Sequence, residues 1–98
     1  MDIQIKGGKD VMNQWVHVIV KGGLKQQISH VTTNLDGFPI GEDDLIPLEG
    51  SYERTWHQVG GGGPNDTHRV VVTASDQKGN QESASETWQG MGGPLVFQ

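Results

Sequence analysis

Trp15-Val16-His17-Val18-Ile19-Val20, halted by Gly22-Gly23, is the stretch that decides the fold. Val16, Val18 and Val20 fall on one side of an extended chain, and Trp15, His17 and Ile19 on the other. Alternation with period two, in residues crowded at Cβ, marks a half-buried strand. The valine side is assigned to the core. A second run has the same grammar: Arg69 to Ser75 turns Val70, Val72 and Ala74 inward.

Between and around these runs, further strand signals recur with Gly, Pro, Asn and Asp separating them. Asp2 to Lys6 alternates Ile3 and Ile5 with polar neighbours and is expected to stop at Gly7-Gly8. Ile28 to Leu35 places Val31, Thr33 and Leu35 on one face, with Ile28, His30 and Thr32 opposite. It runs into Asp36-Gly37, a pair suited to a tight hairpin because both central positions tolerate positive φ. Phe38 to Gly41 then reads as a short edge strand, where Pro39 is acceptable. Glu42-Asp43-Asp44 reads as an acidic loop, and Leu45 to Leu48 as a segment packed across one end. Ser51 to Val59 sets Tyr52 and Trp56 on one face with Arg54 between them, Trp56 in the core. Gly60 to Gly63 and Pro64-Asn65-Asp66 read as a long loop. Asp76 to Asn80 makes a hairpin, and Gln81 to Trp88 pairs back.

The count is about seven antiparallel strands and no helical period, the sign of an all-β sandwich or barrel. Cadherin-like, fibronectin-like and bacterial immunoglobulin-like domains satisfy it equally; an all-β, immunoglobulin-like two-sheet sandwich is the reading carried forward. Its walls are the two valine runs, with ionisable groups expected outside the interior. With 98 residues, one domain is expected over 1–89, followed by a Gly-rich tail or linker at 90–98 in which Leu95-Val96-Phe97 offers one more strand. Fifteen glycines add length without core, which accounts for a hydrophobic share of only 33%.

Charge and composition narrow the function. The formal charge is -5, and the seven basic residues are scattered along the chain. Nucleic-acid binding requires clustered Lys and Arg to neutralise phosphates, so nucleic acid is not an expected partner. No apolar run reaches the roughly 20 residues of a membrane-spanning helix, so no membrane insertion is expected. Cysteine is absent, which removes a disulfide framework, thiolate zinc sites and thiol catalysis together. Met1-Asp2-Ile3-Gln4 is not a signal peptide. The chain is therefore either a cytoplasmic protein or a module excised from a longer extracellular or cell-surface chain, and the second reading is carried forward.

Four groups of side chains are candidates for chemistry or binding. His17, His30, His57 and His68 sit in or beside strands, but no pair has short zinc-motif spacing. They read as solvated or hydrogen-bonded strand histidines. Asp36, Asp43, Asp44 and Asp76 are the weak calcium candidates. Calcium needs six to eight converging oxygens, and the plainer reading of these acids is a charged loop rim. No Gly-x-Ser-x-Gly elbow occurs, and Gly60 to Gly63 lacks the Lys-Ser/Thr of a phosphate loop. The chain reads as no enzyme, with no cofactor. For binding, Trp15 and Trp88 are candidate exposed aromatics able to stack on a sugar or anchor an interface. Leu95 and Phe97 are candidate residues for pairing with an open sheet edge, within or between chains.

His68-Arg69-Val70-Val71-Val72-Thr73-Ala74-Ser75-Asp76-Gln77-Lys78-Gly79-Asn80 resembles the penultimate strand and hairpin of bacterial immunoglobulin-like (Big-type) modules. Ile28 to Gly41 resembles their strand, Asp-Gly and short return. Ser51 to Trp56 resembles their aromatic strand, with Arg54 standing where an apolar residue is usual. The resemblance covers roughly Trp15 to Trp88. It implies a non-catalytic structural, spacer or adhesion module of a bacterial surface or secreted protein, whose partners are protein neighbours or flanking domains. Two alternatives stand beside it: a carbohydrate-binding module using exposed tryptophans, with a glycan as partner, and a small stand-alone assembly protein of a phage or secretion apparatus.

Overall fold

A computed structural model describes residues 1–9, 14–57 and 67–89. Within them lie β1 (Asp2–Lys9), β2 (Gln14–Lys21), β3 (Ile28–Leu35), β4 (Phe38–Glu49), β5 (Ser51–His57), β6 (Thr67–Asp76) and β7 (Gln81–Gln89). They form a three-stranded sheet in the order β1-β2-β5 and a four-stranded sheet in the order β4-β3-β6-β7. Every neighbouring pair is antiparallel. The chain is an all-β, two-sheet sandwich of the immunoglobulin-like kind.

The valine ladders form its interior. Val16, Val18, Val20, Val70, Val72 and Ala74 are all fully buried, joined by Ile28, Val31, Ile5 and Trp56 in one apolar cluster. Each buried aliphatic side chain contributes on the order of 1.5–3 kcal/mol relative to exposure, so these short ladders supply most of the driving force. The β3–β4 turn behaves as its dipeptide requires, with φ of 52° at Asp36 and 84° at Gly37. Those two left-handed residues match the twist of the flanking strands.

Four expectations are corrected. Ile28 is fully buried, although strict alternation put it on the outer face with His30. The registers of β3 against both β4 and β6 shift between Ile28 and His30. This bulge resets which face the chain presents. Ser29 sits in it and donates its hydroxyl to the carbonyls of Ser75 and Asp76, at 3.2 and 3.0 Å. Next, Glu42-Asp43-Asp44 is no loop: Phe38 to Glu49 is one twelve-residue strand. These acids can remain extended because each finds a basic or hydroxyl partner across the strand. Third, β1 does not stop at Gly7-Gly8 but pairs with β2 as far as Lys9. Last, the interior is not free of ionisable groups. His68 and Asp76, toward the two ends of β6, are buried with 9% and 4% exposure.

The sandwich is a rod, 43 × 22 × 21 Å. At one pole Asp2 pairs with Lys21, Lys21 with Ser51, and Gly22 donates to the Gly50 carbonyl. The β6–β7 turn lies at this pole too, since Ile28 pairs with Asp76. The opposite pole carries the Asp36-Gly37 turn and the pair Thr67–Gln89, where β7 ends.

Candidate functional site

β4 and β5 are edge strands of different sheets joined through Gly50, so their inner faces meet along one side of the rod. Register places Tyr52, Arg54 and Trp56 opposite Val20, Val18 and Val16, on the inward face. A guanidinium there needs both cover and a counter-charge. It stacks over the Trp56 ring, 4.6 Å from the centroid, and donates to Asp43 Oδ2 at 2.8 Å. The Tyr52 hydroxyl donates to the same oxygen at 2.6 Å. The Asp43 carboxyl is therefore held below its ordinary pKa, first by the Tyr52 hydrogen bond and then, against some burial, by Arg54. Burial, together with the Asp43 carboxylate, pushes the Tyr52 phenol above its usual range. Trp56 completes the seam by donating Nε1–H to the Ile40 carbonyl at 3.0 Å. This is a polar clasp between the two sheets.

The other acids are committed in the same way. Asp36 meets His68 Nδ1 at 2.6 Å and accepts the Arg69 amide at 2.8 Å. Burial would raise its pKa, but these two hydrogen bonds outweigh it and hold the carboxyl below the usual value. Asp44 meets His30 Nδ1 at 2.6 Å, with Glu42 3.7 Å from the other ring nitrogen. Asp76 accepts from the Gln26 side chain, the Asn80 side chain and the amides of Lys78 and Asn80. Those donors, Gln26 foremost, bring its pKa down to about 2. An aspartate that caps its own turn in this manner organises the hairpin.

The calcium candidates are thus distributed through the fold. Asp36 and Asp76 lie toward opposite ends of β3, beyond Leu35 and beside Ile28 respectively. Asp43 turns into the clasp while Asp44 pairs with His30. Among the described residues, no three His, Asp or Glu side chains converge to hold a metal ion. Three of the histidines have a carboxylate partner: His17 with Glu53, His30 with Asp44 and His68 with Asp36.

Trp15 is half-buried on the outer face of β2, opposite Gly8 of β1 and His57 of β5. A groove of about 590 Å³ runs beside it, lined by Ile3, Ile5, Lys6, Gly7 and Glu86. Trp88 pairs through its backbone with His68. Its side chain, the end of the strand expected to reach Val59, the loop expected over Gly60 to Asp66, and Leu95 and Phe97 all lie outside the described residues. No described helix is long and apolar enough to cross a membrane.

Sequence reading missed the clasp and the Asp36–His68 pair. Both depend on which strands face each other, although Tyr-x-Arg-x-Trp on an inward face was itself a signal that a counter-charge must lie opposite. In comparisons with known proteins, no family model matched the chain, and neither the curated proteins nor the solved structures gave a match. Over the described residues, the class the coordinates define is a seven-stranded antiparallel sandwich, in a chain without cysteine.

Proposed function

We propose that this chain is a non-catalytic immunoglobulin-like module of the bacterial Big type. In this reading it serves as a spacer or adhesion element in a surface or secreted protein, with neighbouring domains as its partners. One observation carries the proposal: β1 starts at one pole of the rod and β7 ends at the other. A module traversed in this way holds its two neighbours a full rod length apart, as a spacer must. The acids support the same reading, because the four candidate aspartates bond to the fold's own groups.

The test is small-angle scattering on two copies joined in tandem. Addition of the second copy is expected to lengthen the particle by roughly one rod, given a long axis of 43 Å. A tandem pair no longer than one copy refutes the spacer reading. A carbohydrate-binding reading rests on Trp15 beside the β1 groove. Titration of a broad glycan panel, followed by tryptophan fluorescence, separates the two. Saturable change with any glycan favours the carbohydrate module, and none favours the spacer.

A further inference from the structure

Among the described residues, four strands form the sheet edges, β1 and β5 in one sheet and β4 and β7 in the other. An open edge presents unpaired backbone groups, and folds guard it with prolines, bulges, inward charges or a cover. β4 contains Pro39 and Pro47, and its pairing breaks between Asp44 and Glu49. β5 is clasped to β4 through Arg54 and Asp43. On β7, register turns Glu82 and Glu86 to the inner side, opposite Ala74 and Val70. Among the described residues, β1 has no proline, bulge or inward charge, and it carries the charges Asp2 and Lys6 on its exposed outer face. Its ladder with β2 is unbroken over eight residues, and its inward positions are Ile3, Ile5 and Gly7. The groove beside Trp15 runs along this edge and is lined by five consecutive β1 residues, Ile3 to Gly7.

The β1 sequence also complements itself. Antiparallel pairing keeps residues of one face opposite residues of the same face. A two-fold axis at Gln4 sets Asp2 opposite Lys6 of the second copy, Ile3 opposite Ile5 and Gln4 opposite Gln4. The two Asp2–Lys6 pairs share the exposed outer face, and the isoleucines share the inner one. Moving the axis to Ile3 or Ile5 puts Asp2 opposite Gln4 or Gly8 and loses both opposite-charge pairs. Opposite charges four residues apart discourage foreign strands while matching a second copy of this one.

We infer that β1 is a homotypic docking edge. Two copies pair antiparallel about Gln4, and their three-stranded sheets become one six-stranded sheet. The contact is isologous, so it closes at the dimer. A single strand pair is at the small end of specific interfaces, so the dimer dissociates on dilution. The rods lie side by side, which adds lateral contact between modules and does not rest on the spacer reading.

Sedimentation velocity of the full chain across a concentration series tests this. A monomer–dimer equilibrium is expected. Lys6→Asp or Asp2→Lys turns both cross-strand attractions into repulsions, and the dissociation constant should rise about ten-fold or more. The D2K/K6D exchange restores opposite charges and should return it to within about three-fold of the original. A mixed-label NMR sample of the unsubstituted chain should show intermolecular contacts between Ile3 of one copy and Ile5 of the other. A monomer at every concentration overturns the inference, as does a dimer indifferent to single reversals. Failure of the exchange variant to recover, or a dimer without the Ile3–Ile5 contact, overturns it equally.

Discussion

Asp43→Asn removes the charge on which the β4–β5 clasp is built while keeping the side chain's size. In the native protein, one carboxylate oxygen accepts from Tyr52 at 2.6 Å and from Arg54 at 2.8 Å. Hydrogen bonds to a charged group are worth about 1.5–3 kcal/mol when buried. The side chains here are 32% exposed at Asp43 and 40% at Arg54, and exposed ion pairs contribute only ~0–1 kcal/mol. A loss of about 1–2 kcal/mol at pH 7 lies between those limits, which lowers Tm by roughly 4–16 °C for a domain of this size. The pH dependence has a fixed sign. The folded pKa of Asp43 is below its unfolded value, so the clasp's contribution is complete above the unfolded pKa of about 3.9 and lost as pH falls through the folded one. Asp36 and Asp76 are depressed too, so both proteins weaken in acid. The difference between them isolates Asp43. Thermal unfolding of both proteins from pH 7 down to pH ~2 should show a gap that closes at the acid end. An unchanged Tm at neutral pH refutes the reasoning, and so does a gap that persists undiminished in acid.

Two other sites give outcomes of their own. Gly41 packs beneath the Trp56 ring, where an added Cβ would be 2.5 Å from Cζ2. Gly41→Ala should therefore cost about 1–3 kcal/mol by overpacking, with part recovered in a Gly41→Ala, Trp56→Phe double variant; additivity in chemical denaturation would contradict the contact. Asp76→Ala removes the acceptor for the Lys78 and Asn80 amides, so hydrogen exchange at those two amides should accelerate while the Val16 and Val18 amides stay protected. Unchanged exchange at the turn would count against the capping role.

The sequence was most legible where one face is buried and pairing is regular. Val16, Val18, Val20, Val70, Val72 and Ala74 were assigned inward and are all fully buried. Asp36-Gly37 announced its turn through backbone chemistry alone. Periodicity failed at Ile28, because a bulge changes the phase of alternation and nothing in Ile28-Ser29-His30 marks it locally. It failed again at Glu42 to Asp44, where three acids resemble a loop until His30, Arg54 and Tyr52 are brought alongside by pairing distant in sequence. The self-complementary spacing of Asp2 and Lys6 was present in the sequence but had no meaning until β1 was placed at the edge of its sheet among the described residues.

Sandwich, clasp and docking edge all require the two valine ladders to face one another across a shared interior. Methyl-resolved NMR can read this in one experiment. It should show cross-peaks from Val16, Val18 and Val20 to methyl groups of Val70, Val72 and Val31 in the opposite sheet. If these valines contact only residues of their own sheet, or if either run gives the short-range pattern of a helix, the sandwich and the readings built on it are contradicted.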